Sequence, residues 1–155
     1  MKVFTLLLLI SVNAFSQKPI NLFDGKTFNG WEGDTVKTWR ISDGMLVGGS
    51  LTENVPHNEF LSTTKDYKNF VLQLKFKLSG TEGFINTGVQ FHSKRIANPP
   101  YEMTGYQADL GDGYWACLYD ESRRNKVLVH ADTNLVKQVL RKGDWNDYEV
   151  RSENG

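Results

Sequence analysis

FVLQLKFKL, Phe70 to Leu78, alternates apolar and polar side chains almost without a break. Phe70, Leu72, Leu74, Phe76 and Leu78 point one way, while Gln73, Lys75 and Lys77 point the other. A two-residue period belongs to a strand with one buried and one wet face. Ile85 to Phe91 repeats it: Ile85, Thr87, Val89 and Phe91 alternate with Asn86, Gly88, Gln90 and His92. Trp39-Arg40-Ile41 and Met45-Leu46-Val47 flank Asp43-Gly44, a two-residue hairpin signal. Lys126 to His130 and Trp145 to Arg151 are further strand candidates, and no segment sustains a helical period. Glycines punctuate the intervals. Many short strands at regular spacing predict an all-β sandwich or jelly roll.

The chain has 155 residues, enough for one domain with a core of its own. Lys+Arg and Asp+Glu both number 18, so bulk charge draws it neither to nucleic acid nor to an acidic membrane. Lys2, the apolar run Val3 to Val12 and the small residues Ala14 and Ser16 read as a secretory leader over 1–16. That run is too short to span a bilayer, so no membrane span is expected in the mature protein. The β-sandwich domain then runs from 17 to 155, and a secreted or periplasmic location follows, in a bacterial envelope setting. Cys117 is the single cysteine, so no intrachain disulfide can form. The last residues, Ser152-Glu153-Asn154-Gly155, end on a hairpin signal with no strand after it, as if the sandwich were truncated at its C-terminus.

The chemistry concentrates in Tyr101 to Asn125, which holds five acidic residues, two arginines, four tyrosines, a tryptophan and a glutamine. Rings that stack on sugar C–H faces, beside carboxylates and amides that read hydroxyls, suit a carbohydrate surface. Two ordinary strands with an acidic loop would show much the same composition. Alternation places Asn86, Gln90 and His92 on one strand face, and Gln107 and Asp109 on one face of another. Asp109 is the first candidate for an acid or base. Glu102 is the second, although its parity is opposite to Gln107 unless a bulge at Gly105 re-aims it. His92 suits a base, a metal ligand or a solvated strand position. Arg123 or Arg124 suits an enolate oxygen, or a solvated loop of ion pairs. Trp115 and Tyr119 share parity and suit either a stacking platform or the core. Histidine pairs, cysteine pairs and calcium-loop spacing are missing, and Asp109, Asp112 and Glu121 give only a faint ion signal. The chain also lacks a laminarinase-like Glu-x-Asp-x-x-Glu, a nucleophile elbow, a phosphate loop and a dinucleotide fingerprint.

Six segments in order resemble one bacterial family, the 3-keto-disaccharide hydrolase or 3-keto-glucoside-1,2-lyase/3-keto-2-hydroxy-glucal hydratase domain, once a domain of unknown function. They are NLFDGKTFNGW (Asn21 to Trp31), WRISDGMLVG (Trp39 to Gly48), Phe60 to Thr63 with Tyr67 to Phe70, NTGVQF (Asn86 to Phe91), GYQAD (Gly105 to Asp109) and GDWN (Gly143 to Asn146). Two positions depart from the family pattern: Gly105 stands where many members have Glu, and His92 where many have Arg. The resemblance implies a concanavalin A-like jelly roll. It implies cleavage of 3-keto-glycosides by proton abstraction at C2, elimination at C1 and hydration, a net hydrolysis. Such a reaction needs a base, a stabiliser for the enolate and a proton donor. On this reading Asp109, Glu102, His92 and Arg124 are the catalytic candidates. Asn86, Gln90, Gln107, Trp115 and Tyr119 are the substrate-binding ones. The partner is a small oligosaccharide or glycoside. No cofactor is implied, and a divalent metal is left open. The alternative on the same fold is a non-catalytic, lectin-like carbohydrate-binding module.

Overall fold

The alternating stretch forms β5 (Phe70–Phe76), half-buried and exposed side chains taking turns along it. The computed structural model describes residues 18–154, and the leader expected over 1–16 lies outside the described residues. β5 pairs antiparallel with β10 (Asn146–Ser152) over seven residues, from Asn146 opposite Phe76 to Ser152 opposite Phe70. The expected strand at Trp145 to Arg151 therefore forms, one residue further along, as the antiparallel partner of β5.

A four-stranded antiparallel sheet carries the chemistry. Its order is β6 (Asn86–Arg95), β7 (Met103–Gly111), β8 (Leu118–Glu121) and β9 (Lys126–Val129). Two small ribbons precede it. β1 (Trp31–Glu32) pairs with β4 (Ser62–Thr63), and β2 (Trp39–Ser42) pairs with β3 (Met45–Gly48). The β2–β3 turn is the expected Asp43-Gly44, both with positive φ (52° and 74°), as a mirror-image hairpin turn requires. One short helix, α1 (Thr133–Val139), was not legible in the sequence. Asp132 caps it by accepting from the N–H groups of Asn134 and Leu135.

Register sorts the large sheet into two faces. Gln90 lies opposite Gln107, Gly88 opposite Asp109, and Gln107 opposite Tyr119. Alternation therefore gathers Asn86, Gln90, Gln107, Asp109, Tyr119 and Glu121 on one face. Val89, Phe91, Ala108, Leu110 and Leu118 share the other. The β5–β10 pair packs against this sheet as an all-β sandwich. Phe76 stacks on Trp115 with centroids 6.3 Å apart, and Leu110 and Val150 are core residues. Burial first, then the charge of Asp109, pushes the Tyr148 hydroxyl of β10 up to about 12.

One expected orientation fails. Pairing slips between Phe91 and Lys94, and His92 takes a left-handed backbone with φ 47°. This bulge turns the imidazole away from the Asn86–Gln90 face. Nε2 instead lies 2.9 Å from Ser152 Oγ, with the ring edge-on to Tyr106.

Truncating Leu110, only 4% exposed, leaves a void between the sheets. Leu110→Ala is expected to cost about 2–5 kcal/mol, read as a lowered midpoint in urea unfolding at an unchanged slope.

Candidate active site

Asp109 sits near the end of β7 and is 3% exposed. A carboxylate in such a place needs donors. Three converge on a single oxygen: Oδ1 accepts from Asn86 Nδ2 at 2.9 Å, Gln107 Nε2 at 3.1 Å and its own neighbour Leu110 N at 2.9 Å. Oδ2 takes no hydrogen bond among the described residues and belongs to the wall of a cavity. Two glycines make the arrangement possible. A Cβ on Gly88 would lie 2.6 Å from Gln107 Cγ, and one on Gly111 would lie 2.8 Å from Asn86 Nδ2. Each amide donor crosses the sheet over a position that must carry no side chain. Burial raises the Asp109 carboxyl above its usual value, and the three N–H donors only partly offset that.

The cavity has a volume of about 180 Å³, below the roughly 300–1,000 Å³ of drug-sized pockets and suited to something nearer one sugar ring. Asn86, Gln107 and Asp109 form one side and Tyr119 and Glu121 of β8 another. Tyr114, Phe84 and Asn58 complete it from the loops. Tyr114 meets Tyr119 edge-on at 6.3 Å and Phe84 at 6.1 Å, giving an aromatic wall. Glu121 is half-buried, and its acidity is weakened first by burial, then by the charges of Glu102 and Asp109. The Tyr119 hydroxyl is likewise pushed up, by burial and then by Glu121, so it remains a proton-bearing hydrogen-bond donor near neutrality. A larger cavity, about 320 Å³, is lined by residues such as Asn21, Thr63, Lys65 and Tyr67 and contains no carboxylate. The smaller one holds the groups able to move protons.

Four of the nine residues singled out by sequence meet here: Asn86, Gln107, Asp109 and Tyr119. The others lie elsewhere. His92 is turned away by its bulge. The Arg124 Nε is 3.3 Å from Asp120 Oδ2, and Arg123 Nε is 2.6 Å from Oδ1. Asp120 is fully buried on the opposite parity to Tyr119 and Glu121, so it draws both cations to the other face. Trp115 lies in the turn before β8, and Ala116, with φ 55°, breaks its alternation with Tyr119. Its indole N–H donates to Asp112, and its ring stacks on Phe76. Glu102 accepts from the Met103 N–H at 2.9 Å and acts on the cavity only through its charge near Glu121. Gln90 shares the face, but its amide atoms are buried without partners and stay out of the cavity wall.

Tyr114, Phe84 and Asn58 are site residues that the sequence did not single out, and Glu121 is one that it marked only as a faint ion candidate. Glu121 had a signal, since it stands two residues after Tyr119 and shares its parity. The acidic-loop reading of Asp120 to Arg124 hid it. Asn58 and Phe84 come from loops, for which no periodicity speaks. Among the described residues no group of three or more metal-ligating side chains forms. Asp112, one of the three acids with a faint ion signal, is exposed and paired with Lys142 at 2.6 Å.

One family model, described as a 3-keto-alpha-glucoside-1,2-lyase-like domain, matches residues 18–155. The chain belongs to this family. A search of curated proteins finds no significant match. Membership supports a carbohydrate-active role and a glycoside substrate, and it agrees with the sandwich fold. Among the described residues no helix is long and apolar enough to cross a membrane.

Two consequences follow for stability. Asp109→Asn keeps an acceptor for the three donors but removes a charge that the fold disfavours. Because the folded carboxyl titrates higher than the unfolded one, the wild type loses stability as pH rises from about 4, its unfolded value, through the folded value. The variant should melt at or above the wild type at pH 7, and the difference should narrow toward pH 3–4 in thermal melts. Gly88→Ala should instead displace Gln107 and destabilise by about 1–3 kcal/mol in denaturant titrations.

Proposed function

We propose that this protein cleaves 3-keto-glycosides by elimination and hydration, with Asp109 as an acid–base group. A ketone at C3 acidifies the hydrogen at C2. Removal of that proton creates an enolate, whose electrons form the C1=C2 bond as the C1–O1 bond breaks. The departing oxygen takes a proton. Water then adds its oxygen to C1 and a proton returns to C2, giving net hydrolysis. The observation that carries this reading is the geometry of Asp109. One oxygen is held by three N–H groups, and the other opens on a sugar-sized cavity with aromatic walls.

A group so desolvated holds its proton to higher pH, as a general acid near neutrality requires. A lectin-like module would gain nothing from it. Such a module needs rings and hydrogen-bonding groups for hydroxyls, not two carboxyls whose acidities are weakened in one cavity. The amide row of Asn86 and Gln107 and the Tyr119 hydroxyl supply contacts for sugar oxygens. The leader-like N-terminus supports action outside the cytoplasm, in the periplasm or the medium.

The test is a 3-keto-disaccharide incubated with the protein. Ultraviolet absorbance of the conjugated 2-hydroxy-3-keto-glucal should rise, and free sugar should be released. Asp109→Asn should lower turnover by about 10²- to 10⁴-fold. Absence of turnover on several keto-sugars, beside measurable binding of unoxidised glycans, would favour the lectin-like module.

A further inference from the structure

The cavity holds a second acid, Glu121, that the sequence marked only by a faint ion signal, and its position suggests a division of labour. We propose that Glu121 is the base that removes the C2 proton, and that Asp109 is the acid that delivers a proton to the C1 leaving oxygen. This assignment rests on the 3-keto-glycoside reading above.

Geometry separates the two acids along the sheet. Glu121 lies opposite Gly105, whereas Asp109 lies four residues further along β7. At about 3.3 Å per residue the two backbones stand roughly 13 Å apart along the strand direction. Gln107 and Tyr119, paired between them, form the floor. The side chains thus enter the cavity from its two ends, with room for a ring between them. Their surroundings differ as the roles require. Asp109 is 3% exposed, and its Oδ1 is occupied by Asn86, Gln107 and Leu110, which leaves Oδ2 as the one atom able to carry and release a proton. Glu121 is half-buried and more open to water, and it bonds to neither amide. The charged or titratable groups acting on it are Glu102 from the segment before β7, Asp109 from β7 and Tyr119 on its own strand. Burial first, then the charges of Glu102 and of Asp109 when ionised, disfavour a negative charge on Glu121, while Tyr119 keeps its proton, so Glu121 is a stronger base than a free carboxylate.

The protons balance over both half-reactions. In elimination the C2 proton passes to Glu121, the C–H electron pair becomes the C1=C2 bond, and O1 leaves with the proton of Asp109 Oδ2. Glu121 is then neutral and Asp109 ionised. In hydration Asp109 takes a proton from the water whose oxygen bonds to C1, and Glu121 returns its proton to C2. Each carboxyl ends as it began, so one pair serves lyase and hydratase steps without an outside proton donor.

The experiment compares the wild type, Glu121→Gln and Asp109→Asn on a 3-keto-disaccharide and on 4-nitrophenyl 3-keto-glucoside. The nitrophenolate leaves without protonation. Asp109→Asn should lose about a hundredfold or more on the disaccharide yet stay within about tenfold of wild type on the nitrophenyl substrate. It should also lose the high-pH limb there. Glu121→Gln should lose about a hundredfold or more on both. A third probe, 1,5-anhydro-3-keto-glucitol in D₂O, has no leaving group. Wild type and Asp109→Asn should exchange its C2 hydrogen, and Glu121→Gln should not. Melting curves check folding, and Glu121→Asp, which keeps the carboxyl, should restore part of the exchange if the Gln variant unfolds. Exchange by Glu121→Gln at the wild-type rate overturns the assignment, as does recovery of that variant on the nitrophenyl substrate. A wild type inert toward all three probes overturns the functional reading itself.

Discussion

The site depends on three N–H groups meeting one buried oxygen. Asp109 Oδ1 accepts from Asn86, Gln107 and Leu110, which come from two adjacent strands and the next residue along. An ionisable group at this depth is costly unless it is bonded. The donors hold the carboxyl in one orientation and leave its second oxygen to the cavity. The bareness of Gly88 and Gly111 follows from the same need, because a methyl group at either would displace a donor. Two glycines that offer no packing of their own are thus part of the acid's environment.

Strand parity then divides the charges. Asp120 and Glu121 are neighbours in sequence and opposites in role. Asp120 turns to the other face, is fully buried and binds Arg123 and Arg124, with the Arg123 guanidinium 4.5 Å from the centre of the Tyr106 ring. Glu121 turns to the cavity beside Tyr119. Acids therefore collect on the cavity side while these two arginines are held away from it. The consequence is a pair of carboxyls whose acidity is weakened first by burial, with the charge of Asp109 adding to the effect at Glu121.

Much of the fold was legible because period two is a local signal. The β5 stretch, the Asp43-Gly44 hairpin, the β6 and β9 segments and the final strand all lie where alternation and turn chemistry put them, within a few residues. Asn86, Gln107, Asp109 and Tyr119 share one cavity because parity carries across a regular ladder. The failures occur where the ladder is irregular. His92 sits on a bulge and Trp115 before a left-handed Ala116, and at each place the face assigned by counting is lost. The helix α1 escaped notice because seven residues are too few to show a period.

The amino-acid sequence alone determined the strand pattern, the sandwich class, the family resemblance and the choice of Asp109, since these rest on local alternation and on motifs that need no partner. Tertiary structure alone decided which acids share a cavity, where the arginines go and which oxygen of Asp109 stays free. Those outcomes depend on register between strands distant in sequence, on one bulge and on burial. All three arise from packing, and no local window of sequence contains them.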